Sequence, residues 1–169
     1  GSAIYRFDGD VSSLTRFDTD VRSFPFTVLP DSPKVLIVGA AGGHEILTSL
    51  YYDASEITAV ELNPVTVSLL EDHFADYTGH LTELPNVDYV QAEGRAYLAS
   101  TNDVYDLIYF VAPDSFSSMN AATSSAFVLS ESYLYTIEAI LTCMEHLSDD
   151  GLICMQYGEI NYDKKPNRT

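Results

Sequence analysis

The sequence predicts an α/β fold, a three-layer α/β/α sandwich in which helices cover both faces of a mostly parallel sheet. Strand-like and helix-like patterns alternate five times along the chain, which is typical of parallel strands joined by crossover helices. The run Val35-Leu36-Ile37-Val38 is apolar throughout, as expected of a strand buried on both faces. With 169 residues, 46% of them hydrophobic, the chain is long enough to bury the core of one ordinary domain.

The elements follow from local patterns. The predicted strands are residues 35–38, 56–62, 87–91, 105–111 and 152–157, and the predicted helices are residues 44–52, 63–77, 94–100 and 129–147. Asn63-Pro64 is a strong helix start, because asparagine caps free N–H groups and proline suits the first helical position. This second helix is expected to bury Val67, Leu70, Phe74 and Tyr77. The last helix has apolar residues at helical spacing, namely Leu129, Tyr133, Ile137, Ile140, Met144 and Leu147.

Two segments are expected along the chain. Residues 1–33 are polar with scattered aromatics and are predicted to form an N-terminal arm or short strands. Residues 34–169 form the α/β domain, and its polar end, residues 164–169, resembles a loop cut short. We therefore expect the chain to be a piece of a longer protein.

Charge and cysteine usage exclude several classes of function. The formal net charge is −17, and Arg95 is the only Lys or Arg between Lys34 and Lys164, so a nucleic acid is not an expected partner. A cationic small molecule would be attracted, although the acidity is equally explained by solubility. No apolar run reaches the roughly 20 residues of a membrane span. Cys143 and Cys154 lie in apolar patterns typical of small buried residues, and they form no disulfide framework. This fits a reducing compartment, so we expect a cytoplasmic protein or the cytoplasmic domain of a membrane protein.

A small-residue turn follows the first strand. Gly39, Ala40, Ala41, Gly42 and Gly43 let the backbone approach a ligand, and the next helix begins there with unpaired N–H groups. The turn is not a complete G-x-G-x-x-G motif, so a tight structural turn is an alternative interpretation. His44, directly after the turn, is a candidate to line the same cleft.

An acidic residue ends the second strand. Glu61 lies 22 positions beyond Gly39, where a carboxylate can accept hydrogen bonds from both hydroxyls of a ribose, with Leu62 beside it. The alternative is a solvated glutamate. Because no basic residue lies near Glu61 in the sequence, a ribose bearing a 2′-phosphate is disfavoured.

The third and fourth strands end in further candidates. Glu93 and Gly94 are placed to contact an adenine, and Val111 is placed at the reacting end of a bound nucleotide. Asp114, in the following loop, is the candidate general base or amine ligand, with a helix-cap aspartate as the alternative. The two cysteines lack the spacing of metal ligands, and the histidines do not cluster. The sequence therefore predicts neither a metal site nor a Ser-His-Asp triad.

Five segments together resemble the spermidine synthase-like branch of the class I methyltransferase fold, which is Rossmann-like. They are residues 35–39 with the following turn, Val60-Glu61-Leu62-Asn63-Pro64, residues 92–98, Tyr105-Asp106-Leu107-Ile108 and residues 129–135. The resemblance implies that the turn wraps the amino-acid or aminopropyl end of S-adenosylmethionine or decarboxylated S-adenosylmethionine. It also implies that Glu61 holds the ribose, that Glu93 with Gly94 holds the adenine, and that the loop after the fourth strand faces the acceptor.

The departures from that family concern amine chemistry. Gly42 stands where polyamine synthases carry an aspartate, and His44 stands where they carry a glycine. Val111 replaces the aspartate at the end of strand four, so only Asp114 matches. Sheets of this family usually have seven strands, whereas five are predicted here. The last two strands are therefore expected to be absent or to be supplied by a partner. A homodimer is one assembly that could supply them. Residues 129–135 resemble members fused to membrane regions, which implies a membrane-anchored parent protein.

Three functions remain open from the sequence. The first is a transferase that moves a methyl or aminopropyl group to a small, cationic amine acceptor. The second is an adenosyl-binding or regulatory module that has lost the chemistry. The third is an NAD-dependent enzyme on a dinucleotide-binding Rossmann fold.

Overall fold

The computed structural model describes residues 3–111, 134 and 136–156. The strands are β1 Lys34–Val38, β2 Glu56–Glu61, β3 Val87–Gln91, β4 Tyr105–Phe110 and β5 Leu147–Met155. The α-helices are α1 His44–Tyr51, α2 Pro64–Ser68, α3 Gly94–Ser100 and α4 Ile137–Glu145. Shorter helical turns of the 3₁₀ type span Val11–Ser13, Thr15–Asp18, Val21–Thr27 and Leu81–Glu83, and a π-helical turn spans Leu69–His73.

The five strands form one parallel sheet in the order β3-β2-β1-β4-β5. The strand order therefore reverses between β1 and β4, and in open α/β sheets ligands bind at the carboxyl edge beside such a reversal. Both the predicted fold class and the predicted alternation of strands and helices are confirmed.

Both faces of the sheet are buried, as the apolar run in β1 predicts. Val35 and Ile37 point to one face and pack with α1, whereas Leu36 and Val38 point to the other and pack with residues of α3 and α4. Successive side chains of a strand point to opposite faces, so a strand with a layer on each side is apolar at every position.

The arm belongs to the core. Residues 3–33 contain 3₁₀ helices and no strand, so the short-strand alternative is not realised. Asp10 and Asp20 cap two of these turns by accepting hydrogen bonds from backbone N–H groups two residues ahead. Phe17 is fully buried against α1, and the arm therefore packs over the same sheet face as that helix.

The second helix is shorter than predicted. It changes to the wider π-helical turn at Leu69, and Val67 and Leu70 are buried as expected. Phe74 and Tyr77 are 40% and 47% exposed, contrary to the prediction. A π turn holds more residues than an α turn, so the side chains beyond it rotate away from the core.

The prediction for the last helix is wrong at its end and on its inner face. Leu147 begins β5 instead of ending the helix, and β5 starts five residues before the predicted strand. Ile137 and Met144 are 76% and 59% exposed, while Ala139 and Cys143 are buried. The helix packs through small side chains, which an analysis based on large apolar residues overlooks. Residues 129–133 lie outside the described residues.

Candidate functional site

The turn after β1 requires glycine at two positions. Gly39 and Gly43 have φ values of 87° and 83°, a region that disfavours residues with a Cβ atom. A Cβ on Gly43 would also lie 2.7 Å from Leu81 Cδ2. The turn is fixed to β2, because the N–H groups of Gly39 and Ala40 both donate to the Val60 carbonyl. Small residues at this position therefore build a rigid loop at the carboxyl edge of β1.

Glu61 connects that loop to the end of β2. Its Oε2 accepts a 2.8 Å hydrogen bond from the Ala41 N–H, and its Oε1 accepts a 2.8 Å hydrogen bond from the Asn63 N–H. The residue is 9% exposed, so it is not the solvated glutamate of the alternative interpretation. Each carboxylate oxygen can accept a second hydrogen bond, which leaves capacity for ligand hydroxyls. The role in ribose binding stays a prediction, as does that of the half-buried Leu62.

Tyr89 is a supporting residue that the sequence analysis missed. Its hydroxyl lies on β3 and donates to the Ala41 carbonyl at 3.2 Å, and Ala41 has a positive φ of 44°. Burial, together with the nearby charge of Glu61, raises the pKa of Tyr89 far above its usual value, so the hydroxyl remains a donor. An aromatic residue on a strand gives no sequence signal for this contact.

Glu93 has a structural role in addition to its predicted one. Its carboxylate caps α3 by accepting hydrogen bonds from the N–H groups of Arg95 (3.1 Å) and Ala96 (2.9 Å). Gly94 is buried, and a Cβ there would lie 2.5 Å from Val38 Cγ1, so glycine lets α3 approach β1 closely. Each Glu93 oxygen accepts one of these hydrogen bonds and has the capacity for a second, and contact of both residues with adenine stays a prediction.

The end of β4 lies beside the glycine turn. The Val111 N–H donates to the Val38 carbonyl at 3.0 Å, and the Val111 oxygen lies 3.4 Å from where a Cβ on Gly39 would stand. Val111 therefore borders the cleft between β1 and β4, although its contact with a donor is a prediction. Asp114 lies outside the described residues, so its assignment as the base also stays a prediction.

The arm brings a charged cluster to the start of α1 that the sequence did not reveal. Arg22 forms a paired contact with Asp20 (Nε to Oδ1 3.2 Å, Nη2 to Oδ2 3.0 Å). Its Nη2 also lies 3.1 Å from His44 Nδ1, and its Nη1 lies 3.5 Å from Glu45 Oε1. His44 and Glu45 are 7% and 3% exposed, so the arm covers them. His44 thus contacts the arm, and nothing in its contacts makes it a lining residue of an open cleft.

Burial determines the protonation of this cluster. It lowers the pKa of His44 to about 4, with the Arg22 charge acting in the same direction. It raises the pKa of Glu45 to about 7, against the opposing effect of Arg22. Because arginine only donates, His44 Nδ1 must accept, and the proton of the neutral ring lies on Nε2.

Two further findings concern the described residues only. No group of three or more His, Cys, Asp or Glu side chains in that part of the chain is arranged to hold a metal ion. None of the helices described there combines the length and apolar character needed to cross a bilayer.

Comparison with known proteins identifies relatives of most of the chain. A polyamine aminopropyltransferase of Lachnospira eligens is 29% identical over 141 residues, covering 83% of this chain and 45% of the relative. One of Streptococcus pneumoniae serotype 4 is 27% identical with the same coverages. The chain thus spans less than half the length of these relatives.

Solved structures show the same fold. A spermidine synthase in complex with the transition state analogue AdoDATO has a TM-score of 0.58 at 20% identity, covering 78% of this chain and 39% of that one. Human methyltransferase-like protein 13 in complex with SAH has a TM-score of 0.56 at 16% identity, covering 82% and 62%. The family model described as "Spermine/spermidine synthase domain" matches residues 16–168. The chain therefore belongs to the spermine/spermidine synthase domain family.

Proposed function

We propose that the chain is the donor-binding domain of an aminopropyltransferase, which moves an aminopropyl group from decarboxylated S-adenosylmethionine to a small amine. The observation that carries the proposal is Glu61, a buried carboxylate hydrogen-bonded to the glycine turn at the strand-order reversal. Membership of the family supports the same donor class. So do the relatives, which are polyamine aminopropyltransferases.

The residues present suit an adenosyl donor. Glu61 would accept hydrogen bonds from the ribose hydroxyls with the lone pairs that its backbone contacts leave free. The glycine turn would lie against the aminopropyl end, because its small residues permit close approach. Glu93 and Gly94 would lie against the adenine, and Val111 would border the reacting carbon.

The transfer needs a free amine and a good leaving group. The nitrogen lone pair of the acceptor forms a bond to the carbon next to the sulfonium, and the carbon–sulfur bond breaks with its electrons moving to sulfur. A protonated amine cannot attack, so its proton must first leave, and Asp114 is the proposed acceptor. Holding the two reactants in line supplies much of the rate enhancement in such a reaction.

Binding without turnover is the second candidate function. It is favoured by Val111 and Gly42, which leave two carboxylate positions of the family pattern empty. Gly42 is also covered by the arm, since a Cβ there would collide with the Ala3 carbonyl oxygen. In this version the domain needs no acceptor, and the adenosyl ligand is a regulator.

Methyl transfer from S-adenosylmethionine remains a variant of the first proposal.

Ligand titration followed by a transfer assay tests the proposal. Decarboxylated S-adenosylmethionine, S-adenosylmethionine, methylthioadenosine and NAD are compared by thermal shift, where a ligand at 100 times its dissociation constant stabilises by about 2.7 kcal/mol. We expect the adenosyl sulfur compounds to stabilise the protein and NAD to have no effect. Radiolabelled donor is then offered with a panel of diamines and polyamines. Binding without transfer supports the second candidate, and stabilisation by NAD alone contradicts both.

A further inference from the structure

Ala41 has an unfavourable backbone conformation at the carboxyl edge of the sheet. Its φ of 44° lies in the left-handed region, which residues with a Cβ atom rarely adopt. Ser32, Asp53 and His80 also have positive φ values, but they lie in segments that lead into strands, whereas Ala41 lies in the turn that follows β1. Such strain persists only where surrounding contacts hold the backbone in place, and it is common at ligand-binding sites. The contacts that hold Ala41 therefore bear on the proposed site.

Both polar backbone groups of Ala41 are hydrogen-bonded to side chains. Its N–H donates to Glu61 Oε2 at 2.8 Å, and its carbonyl oxygen accepts from the Tyr89 hydroxyl at 3.2 Å. These two groups belong to the two planar peptide units that flank the Cα atom, so the contacts together restrict both φ and ψ. Glu61 lies on β2 and Tyr89 lies on β3, so the turn after β1 is tied to the next two strands of the sheet.

Tyr89 is placed to make this contact from a rigid position. It pairs with Ala59 across β2 and β3, and Glu61 lies two residues further along β2, so all three side chains point to the same face. The Tyr89 ring packs against the buried cluster on the α1 side of the sheet. Burial, together with the charges of Glu61 and Glu71, raises the pKa of Tyr89 well above its usual value. The hydroxyl therefore keeps its proton and remains a donor.

We propose that Tyr89 is a positioning residue that sets the preference of the site for a ribose with both hydroxyls intact. With Ala41 fixed, its N–H and that of Asn63 hold one oxygen each of the Glu61 carboxylate, so the remaining lone pairs have fixed directions. Without the Tyr89 hydroxyl, Ala41 is free to relax from its strained φ and to withdraw its N–H from Glu61. This inference rests on the proposed function, in which Glu61 binds the ribose hydroxyls.

The test is isothermal titration calorimetry of wild type and Tyr89→Phe with methylthioadenosine and its 2′-deoxy and 3′-deoxy analogues. We expect wild type to prefer the intact ribose by about tenfold or more over at least one analogue, because a hydrogen bond to a charged carboxylate is lost. Tyr89→Phe should reduce that preference by about threefold or more while the affinity for the analogue changes little.

Tyr52→Phe is the matched control. The Tyr52 hydroxyl also donates to a backbone carbonyl at 3.2 Å, that of Phe17, and the ring is half-buried as well. Tyr52 lies just beyond α1, at the opposite end of that helix from the glycine turn. The control variant loses the same kind of hydrogen bond and should keep the full preference for the intact ribose.

A double variant tests whether Tyr89 acts through Glu61. The ribose preference of Glu61→Gln with Tyr89→Phe should equal that of Glu61→Gln alone, because positioning is of no use once the carboxylate is gone. A further loss in the double variant would contradict the proposal.

The other outcomes separate the role of Tyr89 from the adenosyl site. An unchanged ribose preference in Tyr89→Phe overturns the positioning role, and so does an equal loss of affinity for all three ligands, which indicates a general structural effect. A wild-type chain that binds methylthioadenosine without preferring it over either analogue overturns the role as well. A wild-type chain that does not bind methylthioadenosine overturns the adenosyl site itself. Phenylalanine retains the buried ring, so the variant should fold, and urea denaturation checks this.

Discussion

The glycine-turn side and the arm side of the carboxyl edge are built differently. On the turn side, the hydrogen bonds of Glu61 within the described part of the chain all come from backbone N–H groups, those of Ala41 and Asn63. On the arm side, Arg22 bonds to the side chains of Asp20 and His44, and it contacts Glu45 at 3.5 Å. The first side fixes the proposed ligand position through backbone contacts, whereas the second holds buried charges whose pairing is incomplete.

That difference predicts different responses to change. On the turn side, where the backbone is fixed, stability should fall when a side-chain atom is added and should change little with pH. Buried charges that are imperfectly paired should respond to pH and to salt, because burial disfavours their ionised forms. The following experiments test each half of the comparison.

Gly43→Ala should have the largest effect on stability. The new Cβ would combine a positive φ of 83° with a position 2.7 Å from Leu81 Cδ2. We expect the free energy of unfolding to fall by about 3 kcal/mol, from roughly 1–2 kcal/mol of backbone strain plus overpacking. Gly9→Ala is the control, because Gly9 has a φ of 89° and open space around it, so it isolates the strain. Equal losses in urea denaturation would show that the turn is not tightly packed.

Glu61→Gln should weaken adenosyl binding by about thirtyfold, equivalent to about 2 kcal/mol. Glutamine has one acceptor oxygen for two N–H donors, and its own NH₂ group would face a donor. Glu56→Gln, at the exposed start of the same strand and paired with Lys34, should leave the affinity unchanged. Calorimetry with methylthioadenosine gives the measurement. Identical affinities for the two variants would remove Glu61 from the site.

Glu45→Gln should make stability less dependent on pH. The folded pKa of Glu45, about 7, lies above its ordinary value of 4.5, so its stabilising contribution is present below 4.5 and is lost as pH rises toward 7. The variant should therefore gain stability relative to wild type across this range, by roughly 2 kcal/mol, and the gain should level off above pH 8.

His44 acts in the opposite direction and is common to both proteins. Its folded pKa of about 4 lies below 6.5, so its contribution is present above 6.5 and is lost as pH falls. This dependence cancels in the difference between the variant and wild type. Urea denaturation at half-unit steps from pH 5 to pH 8.5 measures that difference. A constant difference would mean that Glu45 is ionised at every pH tested.

The sequence predicted the turn side because its determinants are local. Gly39, Gly43 and Glu61 are small or acidic residues at strand ends, and chain order alone places strand ends at one edge of a parallel sheet. The arm side depends on residues 20–22 meeting residues 44–45, and no periodicity encodes such a long-range contact. The last helix shows that sequence prediction is limited in the same way. Ala139 and Cys143 face inward, whereas prediction of an amphipathic helix relies on large apolar residues at helical spacing.

Asp20→Asn should produce the smallest effect and should separate capping from charge on the arm side. Asparagine can still cap the 3₁₀ turn by accepting from the Arg22 N–H, but it loses the ion pair with the guanidinium. Because the Asp20 and Arg22 side chains are 19% and 30% exposed, we expect a loss of about 0.5–1 kcal/mol at low salt that shrinks in 1 M NaCl.

Asp10→Asn is the matched control for that variant, because Asp10 caps the first 3₁₀ turn by accepting from the Ser12 N–H in the same way. Its cost should be smaller and independent of salt. Equal, salt-independent costs at Asp10 and Asp20 would mean that capping alone holds the arm. In that case the ion pair of Asp20 with Arg22 would add nothing to stability. The contrast between the two sides would then rest on the buried carboxylate of Glu45 alone.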